Sequence, residues 1–429
     1  MKSNRLKSNK DVATNGGSMS RANELKMRLK ENLSSLKRDI EGISNFLFLN
    51  PELSGQEYLA SAYLSEFMIT HGFSVDKGYC GFETAFRAEY ALGNGDGPTI
   101  AFLAEYDALP LSGHAMGHEA LKKTNKAGHI CGHNWIAAAT VGVSVCLSRL
   151  SGINGRIVLI GTPAEETIGC KVDMIKAGAF DDIDVVIQPH LESFTDINCT
   201  ALALDAVEFR FFGKATHAAS YPHLGINALD AVQLMFSGVN ALRQQLRDDV
   251  KICGIVTSGG EASNIIPDYA SCRYTVRSSD RKYLNEVTRR VINCAKGAEL
   301  MTGARMEYGF FENQTDDILN IDLLQNLLKI NMVEAGVENI RENAIMPTGS
   351  SDIGNVSQVC PTMYFEINIE SDKPFFTHDP VALEYVDSDY AYIKLDQVIR
   401  IMGGMAIQLF EDAEMVEAVK KRHIELRTI

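Results

Sequence analysis

The sequence predicts an α/β protein: a mixed, largely parallel sheet with helices on both faces, and a second α+β unit inserted within it. Three observations predict it. The chain has 429 residues, too many for one ordinary core and enough for two. Apolar strand-like runs alternate with polar loops and helical stretches from about residue 84, the pattern of neighbouring parallel strands covered by helices. From about Leu204 the texture changes, and the alternation returns only at Ile318.

The first twenty residues are rich in Ser, Asn, Lys and Gly without an apolar stretch, and read as a disordered leader, not a signal peptide. From Arg21 to about Phe48 the spacing of Leu25, Leu29, Leu33 and Leu36 predicts a helix. Ser54-Gly55-Gln56-Glu57 has the form of a capping box opening a second helix to about His71. Strands are predicted at Thr84–Tyr90 and Pro98–Ala104, the latter running into Glu105-Tyr106-Asp107-Ala108-Leu109-Pro110. A helix over the apolar run Trp135–Leu147 separates these from strands at Arg156–Gly161 and Ile183–Gln188. The first ends in Pro163-Ala164-Glu165-Glu166, the second in Pro189-His190-Leu191-Glu192. In such sheets ligands collect beyond the carboxyl ends of the strands, so these loops are expected to share one cleft.

In the middle of the chain, strands at Val207–Phe212, Ile252–Ser258, Tyr269–Ser278 and Met306–Phe311 are interleaved with helices at Asn227–Leu246 and Lys282–Met301. The β-α-β-β-α-β order is that of a ferredoxin-like sandwich. The last part returns to helix and strand, passes Phe376-Thr377-His378-Asp379-Pro380, and closes on a helix near Leu395–Glu411.

Composition bounds the function. Apolar residues make up 45% and charged residues 22% of the chain, as in a soluble globular protein. A formal charge of −14 argues against nucleic acid or an anionic membrane as partner. The longest apolar run, Trp135–Leu147, is too short to span a bilayer. Nine cysteines without paired spacing read as reduced thiols, which places the expectation in the cytoplasm.

Chemistry concentrates at Gly128-His129-Ile130-Cys131-Gly132-His133-Asn134. A Cys-x-His pair can bring sulfur and nitrogen to one cation if the backbone turns, and the glycines tolerate such a turn. Taken singly, Cys131 reads as a buried thiol, Glu165-Glu166 as a solvated loop, and His190 or His378 as a surface histidine. Jointly they form a donor set suited to Zn²⁺ or Mn²⁺, with one carboxylate to spare.

Cys131-Gly132-His133, Pro163-Ala164-Glu165-Glu166, His190 and Thr377-His378-Asp379-Pro380 resemble, in order, the motifs of the M20 metallopeptidases. The nearest branch is the amidohydrolase group holding auxin-conjugate hydrolases, N-acyl amino acid hydrolases and aminobenzoyl-glutamate hydrolase. Ala104–Pro110 resembles that branch's acidic first motif. Phe212–Ala219 and Gly259–Asp268 resemble motifs of its inserted lid or dimerisation domain. Composition alone sets the leader over 1–20; the resemblance implies a zinc-peptidase-like catalytic domain, placed over 21–203 and 314–429, with the lid over 204–313. It implies five metal ligands, Cys131, His133, Glu166, His190 and His378, with Cys131 bridging two divalent ions, Zn or Mn. Glu165 becomes the general base, His217 reaches across a homodimer to the substrate carbonyl, Asn264 helps hold substrate, and Asp107 orients a ligand imidazole.

Two positions depart from the wider family. Glu105 stands where the peptidase branches carry a metal-binding His, and is not counted as a ligand. Asn134 replaces the usual Asp after Cys-Gly-His. With Gly349-Ser350-Ser351-Asp352-Ile353-Gly354-Asn355, this points toward the sub-branch of aminobenzoyl-glutamate hydrolase and M20-domain dipeptidases. The implied reaction is hydrolysis of the amide of an N-acyl amino acid or dipeptide by a metal-activated water. The alternatives are removal of an aryl amine or another group on the same scaffold, and a non-catalytic metal-binding dimer.

Overall fold

The computed structural model describes residues 20–111, 127–343, 349–373 and 376–428. The leader expected over 1–20 falls outside them except for Ser20, whose side chain accepts from Asn23 N and caps α1 (Arg21–Leu49). Leu25, Leu29, Leu33 and Leu36 are buried along one stripe of α1, as their spacing requires.

The next helix, α2 (Tyr58–Thr70), corrects one expectation. The capping box does not form: Glu57 stands at the N-cap without a side-chain cap. Its carboxylate instead accepts from Gly55 N, Thr84 Oγ1 and Ala164 N. Ser54 Oγ donates to Asp107 Oδ2 at 2.6 Å. The open N–H groups of α2 are met from outside, by Glu52 accepting from Leu59 N and Ala60 N. Tertiary partners for two buried polar groups outweighed the local motif.

The first part continues as β1 (Ser74–Lys77), β2 (Phe86–Leu92), β3 (Thr99–Ala104), β4 (Leu109–Pro110), β5 (Ala127–Gly128), α3 (His133–Ser148), β6 (Gly155–Gly161), α4 (Cys170–Lys176), β7 (Val185–Glu192) and β8 (Thr195–Asp196). There follow β9 (Ala203–Phe212), α5 (Ala228–Leu242), β10 (Lys251–Ser258), β11 (Tyr269–Ser278), α6 (Arg281–Thr302) and β12 (Arg305–Phe310). The return consists of α7 (Asp322–Glu334), β13 (Ile340–Arg341), α8 (Ile353–Val359), β14 (Thr362–Asn368), α9 (Asp389–Glu411) and α10 (Ala413–Arg427). The chain does not close near Glu411: Asp412 caps a further helix, α10, through Met415 N.

Eight strands form one sheet in the order β1-β2-β6-β3-β7-β14-β8-β13. Its centre is parallel, β6 with β3, β3 with β7 and β7 with β14, and β2 joins β6 antiparallel. Side chains of β3 alternate between two cores. Ile100, Phe102 and Ala104 face α1, α3 and α9, whereas Ala101 and Leu103 meet Met174 of α4 and Ile353 and Val356 of α8. Helices therefore cover both faces. Every residue of α3 is buried, and Gly142 lets it approach its neighbours, since a Cβ there would stand 2.7 Å from Ile399 of α9. The second sheet is antiparallel, β10-β11-β9-β12, with α5 and α6 packed on it, which is the ferredoxin-like arrangement. Among the described residues no helix is long and apolar enough to cross a membrane.

Candidate metal centre and active site

The loops at the carboxyl ends of β3, β6, β7 and β14 converge at the place an open parallel sheet offers a ligand. Gly132, with φ +79, turns the chain into α3 between Cys131 and His133; a Cβ there would press on Leu191 at 3.2 Å. The turn lets both side chains face His190 on β7. Cys131, His133 and His190 form one group whose donor atoms all lie within 4.8 Å of one another. Cys131, Glu166 and His378 form another, so the thiol belongs to both.

Two of the three imidazoles, His133 and His190, are oriented from behind through Nδ1. Asp107 Oδ1 lies 2.8 Å from His133 Nδ1, and the Asp107 carbonyl 3.1 Å. His133 Nε2 is buried without a hydrogen-bond partner, 3.6 Å from Glu105 Oε2 and 3.9 Å from Glu166 Oε1. His190 Nδ1 faces the Leu191 carbonyl at 2.9 Å, which turns its Nε2 toward Cys131 Sγ at 3.5 Å. His378 Nε2 stands 3.2 Å from Glu166 Oε1, and its backbone N–H donates to Ile130 O. Ala164 and His378 hold left-handed backbone at φ 54 and φ 68, a conformation costing about 1–2 kcal/mol in a non-glycine residue. Ala164 directly precedes Glu165, and His378 is itself one of the donors.

The electrostatics suit a cation. Burial, then the Glu166 charge, pushes the Cys131 thiol well above its ordinary value, so a thiolate there needs a positive partner. Burial alone would raise Asp107, but the His133 charge and hydrogen bonds from His133, Ser54 and Glu166 N bring it down to about 2. Burial and then Glu105, Glu166 and Asp352 push Glu165 well above the carboxylate range. Ser351 Oγ donates to Glu165 Oε1 at 2.8 Å. An unpaired imidazole nitrogen, a thiol shared between two donor groups and a crowd of carboxylates fit divalent metal.

Two adjoining cavities, of about 400 and 300 Å³, share Glu165, Glu166, Gly349, Ser350, Ser351 and His378. Arg277 of β11 lines the first, and Glu192 and Glu366 line the second. Burial, then Glu192 and Asp196, pushes the Glu366 carboxyl up to about 8.

His217 and Asn264 lie elsewhere. Both are exposed at the far end of the second unit, on paired segments: Ala218 N donates to Asn264 O, and His217 bridges Ile265. Neither lines these cavities within one chain. Sequence reasoning missed Lys171, whose ammonium joins Glu105 and Asp352 beneath Glu165. It also missed Ser351 as a partner of Glu165, and Arg277.

Residues 204–299 match the M20 peptidase dimerisation domain. The Xaa-Arg dipeptidase of Mus musculus is 32% identical over 414 residues, covering 92% of this chain and 91% of that protein. The N-acetyl-L-cysteine deacetylase of Bacillus subtilis (strain 168) is 30% identical over 275 residues, 60% of this chain and 64% of that one. A solved dinuclear metal-binding M20 peptidase of Bacillus subtilis superposes with a TM-score of 0.64 at 20% identity, covering 88% of this chain and 99% of that one, a likeness of fold. By its identity to the dipeptidase over nearly the whole of both proteins, this chain belongs to the M20 family of hydrolases.

Proposed function

We propose that this chain is a metal-dependent amidohydrolase that cleaves the amide bond of an N-acyl amino acid or dipeptide. The observation that carries the reading is the pair of donor groups sharing Cys131, with Glu165 on the wall of the same cavity. Cys131, His133, Glu166, His190 and His378 would hold two divalent ions, Zn or Mn, since thiolate favours Zn and imidazole accepts either. When bound, the ions supply Lewis-acid polarisation of the carbonyl and of the attacking water.

The remaining work belongs to the chain. Glu165 takes the proton of the attacking water and returns it to the leaving amine, a role suited to a carboxylate whose surroundings raise its proton affinity. Ser351 holds one of its oxygens and leaves the other for transfer. Arg277 puts a guanidinium into the adjoining cavity that Glu165 also lines, a match for the substrate carboxylate. His217 and Asn264, remote from the cavity of their own chain, fit a role in the cleft of a second copy, and the dimerisation domain supports a homodimer. His217 would donate to the carbonyl oxygen as charge develops there. The free state of the described cysteines suits a reducing compartment such as the cytoplasm.

Within this class, dipeptides carrying a basic residue are favoured. Glu192 gives the cavity a carboxylate beyond the donor groups, with the Glu366 carboxyl beside it as a further polar partner, and relatives of this chain are named Xaa-Arg dipeptidases. The test is turnover, with Zn²⁺ or Mn²⁺ added, on dipeptides ending in Arg or Lys, neutral dipeptides, N-acyl amino acids and aminobenzoyl-glutamate. The expected result is metal-dependent release of an amino acid, fastest from the basic dipeptides. Release of an aryl amine only, or no turnover by fully metallated protein, contradicts the proposal.

A further inference from the structure

Beneath the proposed base lies a buried cation. Lys171, in the first turn of α4, has a side chain with 0% exposure. Its Nζ reaches Glu105 Oε1 at 2.7 Å and Asp352 Oδ1 at 2.5 Å, and its backbone N–H donates to Asp352 Oδ2 at 3.0 Å. One residue thus grips both oxygens of Asp352. Gly169, with φ +64, permits the approach, because a Cβ there would stand 3.3 Å from Asp352 Cβ. Asp352 directly follows Ser351, whose Oγ accepts from Ile353 N and donates to Glu165. The ammonium therefore ties the end of β3, the start of α4 and the turn before α8, segments from both sides of the inserted unit.

Besides the two groups that share Cys131, and His133 with Glu165 and Glu166, the oxygens of Glu105, Glu165 and Asp352 are close enough to form a fourth metal-type group among the described residues. Lys171 bonds two of the three and supplies the positive charge that such a group requires. A buried ion pair is a poor source of stability, since desolvation offsets most of the attraction and an apolar residue of like volume serves as well. What the lysine does provide, and a methionine could not, is a fixed distance between α4 and the turn before α8.

We infer that Lys171 is a positioning residue for Glu165: by clamping Asp352 it holds Ser351 Oγ against one oxygen of the base and leaves the other free for proton transfer. The inference rests on the reading of Glu165 as the base. It assigns Glu105 a partner other than metal and gives the Ser350–Asp352 turn a task in the reaction.

The test is a double-mutant cycle on full-length, metal-loaded enzyme with Lys171→Met, Ser351→Ala and the pair. Lys171→Met is expected to lower kcat by roughly 30-fold with KM changed less than about 3-fold, and Ser351→Ala to lower kcat by roughly 10-fold. The double variant is expected to be no slower than Lys171→Met, because the serine acts only where the clamp has placed it. Elemental analysis should show unchanged metal content, and a crystal structure of Lys171→Met should show Ser351 Oγ beyond hydrogen-bond reach of Glu165. Multiplying losses, or an undiminished kcat in Lys171→Met, overturn the inference. If Lys171→Met does not fold, Asp352→Asn replaces it in the cycle, and additivity with Ser351→Ala has the same force. The two readings fail separately. Full turnover by metal-loaded Glu165→Gln removes the base itself, whereas an inactive Glu165→Gln with additive Lys171 and Ser351 effects removes only the clamp.

Discussion

Asp107 Oδ1 meets His133 Nδ1 at 2.8 Å, and this contact decides which nitrogen of the imidazole faces the cleft. With Nδ1 occupied by a carboxylate and a backbone carbonyl, Nε2 is the atom presented to Cys131, Glu166 and His190. Carboxylates behind ligand histidines typically contribute ~10–100-fold in metal affinity. Asp107→Asn should therefore bind Zn²⁺ at least ~10-fold more weakly in a chelator competition. Unchanged affinity would mean that packing alone orients the ring.

Cys131 belongs to both donor groups, so its loss should be felt at two ions at once. Cys131→Ser should lower both the metal bound per chain and the activity, because a buried hydroxyl is a poorer ligand than a thiolate for Zn²⁺. Equal stoichiometry in elemental analysis of the two proteins would leave Cys131 as a packed core thiol.

How much of this was legible in the sequence depends on the range of each interaction. Four strands of the main sheet, β2, β3, β6 and β7, and the β-α-β-β-α-β order were readable because apolar runs and their spacing are local signals, whereas β1, β8, β13 and β14 went unread. The segments carrying Glu165 and His190 were readable for the same reason, each following such a run, although β7 extends through His190 to Glu192 where a loop was expected. The capping box failed because Ser54 and Glu57 bond to Asp107 and Ala164, whose nearness no local pattern announces. Lys171 was invisible for that reason too: its partners lie 66 and 181 residues away, and a lysine in a short helix ordinarily faces water. The helix α10 went unread because its apolar stripe is thin, with Val416, Val419 and His423 its buried residues.

His423 supplies a pH-dependence remote from the metal centre. Its Nε2–H donates to Ser357 O at 2.7 Å, and burial lowers its pKa below the ordinary 6.5. The folded state thus binds fewer protons here than the unfolded one. The contribution is present above pH 6.5 and is lost as pH falls through the folded value. Metal-free protein should lose thermal stability between about pH 7 and about pH 5, and His423→Gln, which keeps an N–H donor, should lose less. Equal slopes for the two proteins would remove His423 from this transition.

His217 lies outside the cavities of its own chain, and the proposal places it in a partner's. His217→Ala and Glu165→Gln enzymes should each be inactive. Mixed under verified subunit exchange, they should recover activity, because one heterodimer cleft holds an intact Glu165 and an intact His217. A His217→Ala enzyme of full rate makes His217 a surface residue. An inactive one that mixing does not rescue keeps it within its own chain.

The central claim is that Glu165 moves the proton while its neighbour Glu166 holds metal. Glu165→Gln removes the basic oxygen and keeps the volume and the hydrogen bond from Ser351. Turnover of the best amide substrate should be measured beside elemental analysis on the same preparation. The account predicts full metal content with kcat lowered by at least ~100-fold. A fully metallated Glu165→Gln enzyme turning over at the rate of the unaltered protein would contradict it.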